Sequence, residues 1–250
     1  MSKAGLATLI LTDSQIDDYH RDGFVIKRAV FTKTEIAEWQ LECGRVWNDL
    51  DPDDSVSRIQ ERGHRDGEAV ADRLDPLLDL SPLFDEFARH DPRIVAICRQ
   101  VFDSDVSVFK GKVIMKRPGT VGYGLHQDYP YWGSTGISPD HFVIVVIPLE
   151  ECTVESGAIE VFPGLHGDIL ASPPGNPLDA DESLIDLNTG VLLEMEPGDL
   201  ALLHALTPHR SNTNHSSHSR TVLYFTFSHA DYGNLQDRYY ANRPDKDLYR

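Results

Sequence analysis

Residues 142–164 read FVIVVIPLEECTVESGAIEVFPG, and this stretch decides the fold. Phe142–Ile147 is apolar at every position, too short for a core helix and far too short to cross a bilayer. It is therefore expected as a strand buried on both faces. Ala158–Phe162 is a second β-rich run, ended by Pro163-Gly164. The pattern spreads outward from there. Val106, Val108 and the stretch to Met115 precede it, and Val191–Met195, Leu200–Leu203 and Thr221–Phe227 follow, with Pro118-Gly119 and Pro197-Gly198 as punctuation.

Upstream the period changes to helical. Thr12-Asp13-Ser14-Gln15 fits a capping box for a helix ending near Gly23, and Phe24-Val25-Ile26 follows as a short strand. Thr32-Lys33-Thr34-Glu35 is a second box, leading into an apolar stripe at Ile36, Trp39, Cys43, Val46, Trp47 and Leu50. Asp51 to Asp66 reads as a polar loop. Asp91-Pro92 opens another helix, with Ile94, Ile97, Cys98 and Val101 facing inward. Helices followed by short strands predict an α+β, mainly β chain whose strand half closes into a sandwich or small barrel. A single domain is expected over 1–250: 1–104 mostly helical, 105–230 the strand core and 231–250 a tail. Ala171 to Leu187, with three prolines and four acidic residues, is expected as an insertion between strands.

Of 250 residues, 40% are hydrophobic and 25% charged, ordinary globular usage. The net charge of −17 repels nucleic acid and anionic membranes, so neither is an expected partner. Three cysteines without a C-x-x-C pair suit a reducing compartment. The N-terminus lacks a signal-peptide pattern, so the expected location is the cytoplasm. The oligomeric state stays open.

The candidate chemistry lies in the histidines. H-x-D occurs five times: His20/Asp22, His64/Asp66, His126/Asp128, His166/Asp168 and His229/Asp231. In a strand that spacing puts both side chains on one face, but a chain this rich in acid and histidine yields such pairs by chance. The first two lie at a helix end and in a charged loop, and the last leads into a polar tail, so all three read as surface. His126/Asp128 follows a glycine-rich turn and is flanked by Leu125, Tyr129, Tyr131 and Trp132. Two histidines and a carboxylate make the facial triad of non-haem Fe(II). The third ligand is best sought at His209, with His204 and His215 as alternatives. Arg220 opens the last strong strand, where a buried guanidinium requires an anionic partner. Lys110, Lys112 and Lys116 share one strand face, expected to be the solvated outer one, with Lys116 the best placed to reach an anion at the mouth.

The chain resembles the phytanoyl-CoA dioxygenase-like branch of the Fe(II)/2-oxoglutarate oxygenases. The resemblance runs from Leu11-Thr12 through Asp22-Gly23-Phe24-Val25, Lys116-Arg117-Pro118-Gly119 and His126-Gln127-Asp128. It continues through Glu155–His166, Pro197-Gly198-Asp199, His209-Arg210-Ser211 with Asn214, and Arg220. Leu165 departs from the serine usual in the Pro-Gly-Ser-His turn. The resemblance implies a double-stranded β-helix (cupin-like jelly roll) with N-terminal helices packed outside. It implies that iron is held by His126, Asp128 and His209. It also implies that 2-oxoglutarate is held by Arg220 with help from Ser211, and moves His166/Asp168 to a loop away from the metal. The implied cofactors are Fe(II), 2-oxoglutarate and O2. Asp128 favours hydroxylation over halogenation, because halogenating relatives carry a small apolar residue there.

The expected activity is hydroxylation of an unactivated C–H bond of a small organic molecule, with release of succinate and CO2. Desaturation, cyclisation or epimerisation by the same chemistry is an alternative, and a non-catalytic cupin-like metal or small-molecule binding protein is an alternative of another class. Tyr129, Tyr131 and Trp132 are candidate substrate contacts. The acyl-CoA of the family name is not expected to carry over, since a −17 chain suits a multiply charged thioester poorly.

Overall fold

A computed structural model describes residues 10–49, 59–60, 63–176 and 178–241. Most of the loop expected at Asp51 to Asp66, Leu50 of the helical stripe, Pro177 and the end of the tail lie outside the described residues. The helices are α1 (Asp13–Asp22), α2 (Lys33–Asp49), α3 (Pro82–His90), α4 (Pro92–Phe102) and α5 (Leu235–Ala241). Both expected capping boxes form. Gln15 N donates to Thr12 Oγ1 at 3.2 Å, and Glu35 accepts from the Thr32 backbone at 2.7 Å. Gly23 ends α1 in the left-handed conformation (φ 83°). Helix α3, which sequence periodicity did not single out, starts on a Ser81 N-cap whose Oγ accepts from Phe84 N.

The strands are β1 (Phe24–Lys27), β2 (Ile59–Gln60), β3 (Gly63–Arg65), β4 (Glu68–Val70), β5 (Arg73–Leu74), β6 (Val106–Lys116), β7 (Phe142–Pro148), β8 (Ile159–Val161), β9 (Val191–Leu192), β10 (Leu200–His204), β11 (His209–Ser211) and β12 (Arg220–His229). Seven form one antiparallel sheet in the order β1-β10-β7-β12-β6-β5-β2; a smaller sheet runs β11-β8-β9; and β3 and β4 make a hairpin. The large sheet reaches upstream of the boundary expected at residue 105, because β1, β2 and β5 pair into it. The tail likewise contains α5. The run expected at Val191–Met195 is a two-residue strand followed by a bridge between Met195 and Cys152.

Period-two alternation sorts the large sheet into two faces. Val113, Val145, Ile147, Leu202, Leu223 and Phe225 meet the helices, where Ile36, Trp39, Phe84 and Ile97 complete one core. Ile114, Ile144, Val146, Ala201, Val222 and Tyr224 face the other way and meet Ile159 and Val161 of the small sheet. The strand half is therefore a double-stranded β-helix: two sheets around one interior, with the helices packed outside the larger.

Candidate active site

The small sheet is extended toward the site by isolated bridges. His126 pairs with His209 of β11 on one side and with Asp179 on the other. His126 N donates to His209 O at 3.0 Å and His209 N to His126 O at 2.9 Å, so the backbone places the two imidazoles side by side. Their centroids are 4.2 Å apart. Glycine makes the approach possible: a Cβ on Gly122 would stand 1.6 Å from the Ser211 carbonyl oxygen. Asp128 does not reach the site by strand alternation as expected. It has left the strand and heads a short 3-10 turn at Tyr129–Tyr131, which returns its carboxylate toward the histidines.

One ligating atom from each of His126, Asp128 and His209 lies within 4.8 Å of the others, the one such cluster among the described residues. Each ring is fixed from behind. His126 Nδ1 donates to Gly124 O at 2.8 Å and His209 Nδ1 to Thr207 O at 2.9 Å. A carbonyl can only accept, so both protons sit on Nδ1 and both Nε2 lone pairs are left for a metal. Burial, then the neighbouring His209, pushes His126 down to about 3, and burial lowers His209 as well, so both rings are neutral near neutral pH. Burial alone would raise the Asp128 carboxyl. Lys112, 3.7 Å away, is the foremost of the groups that hold it well below the ordinary carboxylate range. Two neutral nitrogens and one carboxylate suit a divalent first-row cation with positions left open.

Deeper in the barrel, Arg220 stands at the start of β12 opposite Lys116 of β6 and is 1% exposed. Its Nε and Nη1 have no hydrogen-bond partner. A small cavity shared by Arg220, Ser211, Tyr224, Ile159, His126 and His209 joins this guanidinium to the histidines. A buried cation with idle donors fits the carboxylate of a dianionic co-substrate that also reaches the metal. Ser211 Oγ accepts from Lys116 Nζ at 3.0 Å and from Tyr123 N at 3.2 Å, which leaves its own proton to donate. Lys116 is thus not at the mouth, nor on an outer face. It is fully buried behind Ser211, also donates to Asn212 O at 2.5 Å, and burial followed by Arg220 pushes it down to about 6.

A cleft of about 190 Å³ opens over Asp128, and Tyr131 and Trp132 line it. Trp132 is mainly core, 2% exposed and edge-on to Phe109 at 5.5 Å. Tyr129 does not line the cleft; its hydroxyl donates to Ile137 O at 2.6 Å and its ring meets Phe142. The other walls come from residues not singled out in the sequence: Arg73 of β5, Tyr123, Asp179 of the insertion, and Lys110 and Lys112. The two lysines face the barrel interior, not solvent. They share the parity of Ile114, and that signal was legible once Ile114 was known to face inward. Arg73 and Asp179 lie on segments with no motif to mark them.

Solved structures share this architecture. EctD from S. alaskensis with 2-oxoglutarate and 5-hydroxyectoine superposes with a TM-score of 0.72, at 20% identity, over 88% of this chain and 77% of that one. The chain belongs to the phytanoyl-CoA dioxygenase (PhyH) family, whose model matches residues 19–222. A methylphosphonate hydroxylase of Gimesia maris is 24% identical over 93% of this chain and 86% of its own length. A 2-aminoethylphosphonate dioxygenase from an uncultured bacterium is 24% identical over 61% of this chain, and the match spans 57% of that protein. No helix among the described residues is long and apolar enough to cross a membrane.

Proposed function

We propose that this protein is an Fe(II)- and 2-oxoglutarate-dependent oxygenase that hydroxylates an unactivated C–H bond of a small organic molecule. The observation that carries the reading is Arg220, a buried guanidinium with idle donors at the far end of a cavity that begins at a His/Asp/His cluster. A metal-storage or plain binding protein has no use for that clamp. When bound, Fe(II) with 2-oxoglutarate and O2 supplies an oxidant able to break such a bond, releasing succinate and CO2. The chain's residues do the positioning. His126 and His209 offer Nε2 because Gly124 and Thr207 hold the Nδ1 protons, and Asp128 completes the ligand set. Arg220 and the Ser211 hydroxyl orient the distal carboxylate, while Lys116 fixes Ser211. Tyr131 and Trp132 keep water from the reacting face.

The substrate is a small molecule that enters by the cleft over Asp128. The reading is supported by a cleft of about 190 Å³ and by two curated relatives named for small phosphonates. Desaturation, cyclisation and epimerisation use the same residues and differ in where the substrate carbon sits. The strongly acidic balance supports a protein that engages neither nucleic acid nor membrane, three cysteines without a C-x-x-C pair support a cytoplasmic one, and the chain acts as one domain over 1–250. The test is reconstitution with Fe(II), 2-oxoglutarate and O2 against a substrate panel, with succinate quantified. Succinate release that depends on all three supports the reading. Failure to bind 2-oxoglutarate in the presence of metal would refute it.

A further inference from the structure

The cleft of this acidic protein gathers three buried cations. Lys110, Lys112 and Arg73 face it beside Asp75, Asp72 and Asp128, and Asp179, which accepts from Asn176, also lines it. Two of these carboxylates are spoken for. Asp75 pairs with Lys110 at 3.1 Å and accepts from the Tyr240 hydroxyl. Asp72 accepts from the Tyr123 hydroxyl and offsets the charge of Arg73. The third, Asp128, lies 3.7 Å from Lys112, too long for a hydrogen bond, and the Tyr224 ring lies 4.9 Å from that ammonium. In the reading proposed above, on which this inference rests, Asp128 is committed to the metal. Lys112 is then a cation without an anion.

Arg73 is next to it. Strand β5 pairs with β6 so that Arg73 stands opposite Ile114, the next inward-facing position after Lys112. Arg73 is 8% exposed, and its Nε is buried without a hydrogen-bond partner. Arg73 and Lys112 both line the inner cavity and the outer cleft, whereas Arg220 lines only the inner one. Asp72 and Asp75 offset the charge of Arg73 but leave its Nε idle, and Lys112 keeps no carboxylate of its own once Asp128 is on the metal, so the pair offers buried donors that an anion would satisfy.

We infer that Arg73 and Lys112 form a second oxyanion subsite, distinct from the Arg220 clamp, that holds a carboxylate or phosphonate group of the substrate. The anion lies between the guanidinium and the ammonium on the cleft side of Asp128, and the C–H bond to be attacked is one or two atoms from it. The subsite therefore selects small acids over their neutral analogues and fixes which carbon faces the metal.

The test uses the full chain with Mn(II) in place of iron, without oxygen, so that nothing turns over. 2-Oxoglutarate is titrated first into the wild-type protein; failure to bind there counts against the oxygenase reading itself. With 2-oxoglutarate bound, methylphosphonate and acetate are titrated against dimethyl methylphosphonate and acetamide. The anions are expected to bind and the neutral partners not, and the stronger anion tells phosphonate from carboxylate. Lys112→Met, which keeps the apolar stem, is expected to weaken the anions about 10- to 100-fold and to weaken 2-oxoglutarate far less. Arg73→Lys, which retains a cation beside Asp72, guards against a misfolded variant and is expected to weaken them less. If no anion outbinds its neutral partner, or if Lys112→Met binds anions as well as wild type, the subsite does not exist. If Lys112→Met loses 2-oxoglutarate affinity instead, the pair serves the co-substrate and the inference is overturned while the oxygenase reading stands.

Discussion

Replacing Arg220 with methionine separates stability from function. In the free protein two donors of this guanidinium have no partner, and Lys116 lies close enough to be lowered by its charge. Each buried unsatisfied donor costs about 1–3 kcal/mol. Methionine keeps an unbranched side chain of adaptable shape without that cost. The ligand-free Arg220→Met protein is therefore expected to melt no lower than wild type, and higher by about 2–4 °C for each kcal/mol regained in a chain of this size. Co-substrate affinity moves the opposite way. Losing the buried charge pair to a carboxylate costs about 2–5 kcal/mol, roughly 30- to several-thousand-fold in Kd. Thermal melts with Mn(II), without oxygen, read both effects. Wild type at 2-oxoglutarate about 100 times its Kd gains about 2.7 kcal/mol, a rise of about 5–11 °C, and the variant at the same concentration gains at most about 0.9 kcal/mol. If the variant shows the same 2-oxoglutarate-dependent rise, Arg220 does not hold the carboxylate and the argument from its idle donors is wrong.

Three further outcomes are expected. Asp128→Ala abolishes succinate-coupled product formation and the Mn(II)-dependent rise in Tm, while far-UV circular dichroism stays native. Gly122→Ala forces a Cβ into the Ser211 carbonyl, so the strand bearing His126 separates from β11; the melt falls by several degrees and metal affinity drops with it, and an unchanged melt would contradict the close approach. His204 supplies a pH dependence. Its Nδ1 accepts from Leu206 N at 3.2 Å and its Nε2 faces Asp140 at 3.3 Å, with the tilted His166 ring 5.1 Å away and His20 nearby, so the ring is held neutral; burial, then His166, pushes it down to about 4. The unfolded chain takes up that proton near the ordinary 6.5, so stability is full above 6.5 and falls as pH drops toward 4, by up to roughly 3 kcal/mol. In denaturant melts at a series of pH values, His204→Asn is expected to flatten that slope.

The sequence made the strand framework legible where local chemistry and tertiary context agree. Phe142–Ile147 is buried at every position because helices cover one face of β7 and the small sheet the other. The H-x-D spacing was a weaker guide than it looked. Among the five pairs it singled out His126/Asp128 by context, yet the carboxylate arrives through a turn rather than along a strand. His166 ends packed against His204, and His64, expected in solvent, lines the rim of the cleft. Lys110, Lys112 and Lys116 were misplaced for a physical reason. Alternation fixes which residues share a face, but which face is inside depends on the sheet that covers it, and that sheet is built from residues far away in the chain. Arg73 and Asp179 were illegible for the same reason, since each becomes part of the site only through cross-strand pairing.

The reciprocal backbone bonds between His126 and His209 have a consequence for the choice of ion. With both rings locked from behind by carbonyls, the cradle is complete before any ion arrives, and loading it requires little rearrangement. A rigid cradle of this kind cannot discriminate by closing more snugly on one cation than another. By the general affinity order of divalent metals, nickel, copper and zinc then bind at least as tightly as ferrous iron. Correct loading then falls to metal supply, and excess zinc is expected to poison this protein by occupation rather than by damage.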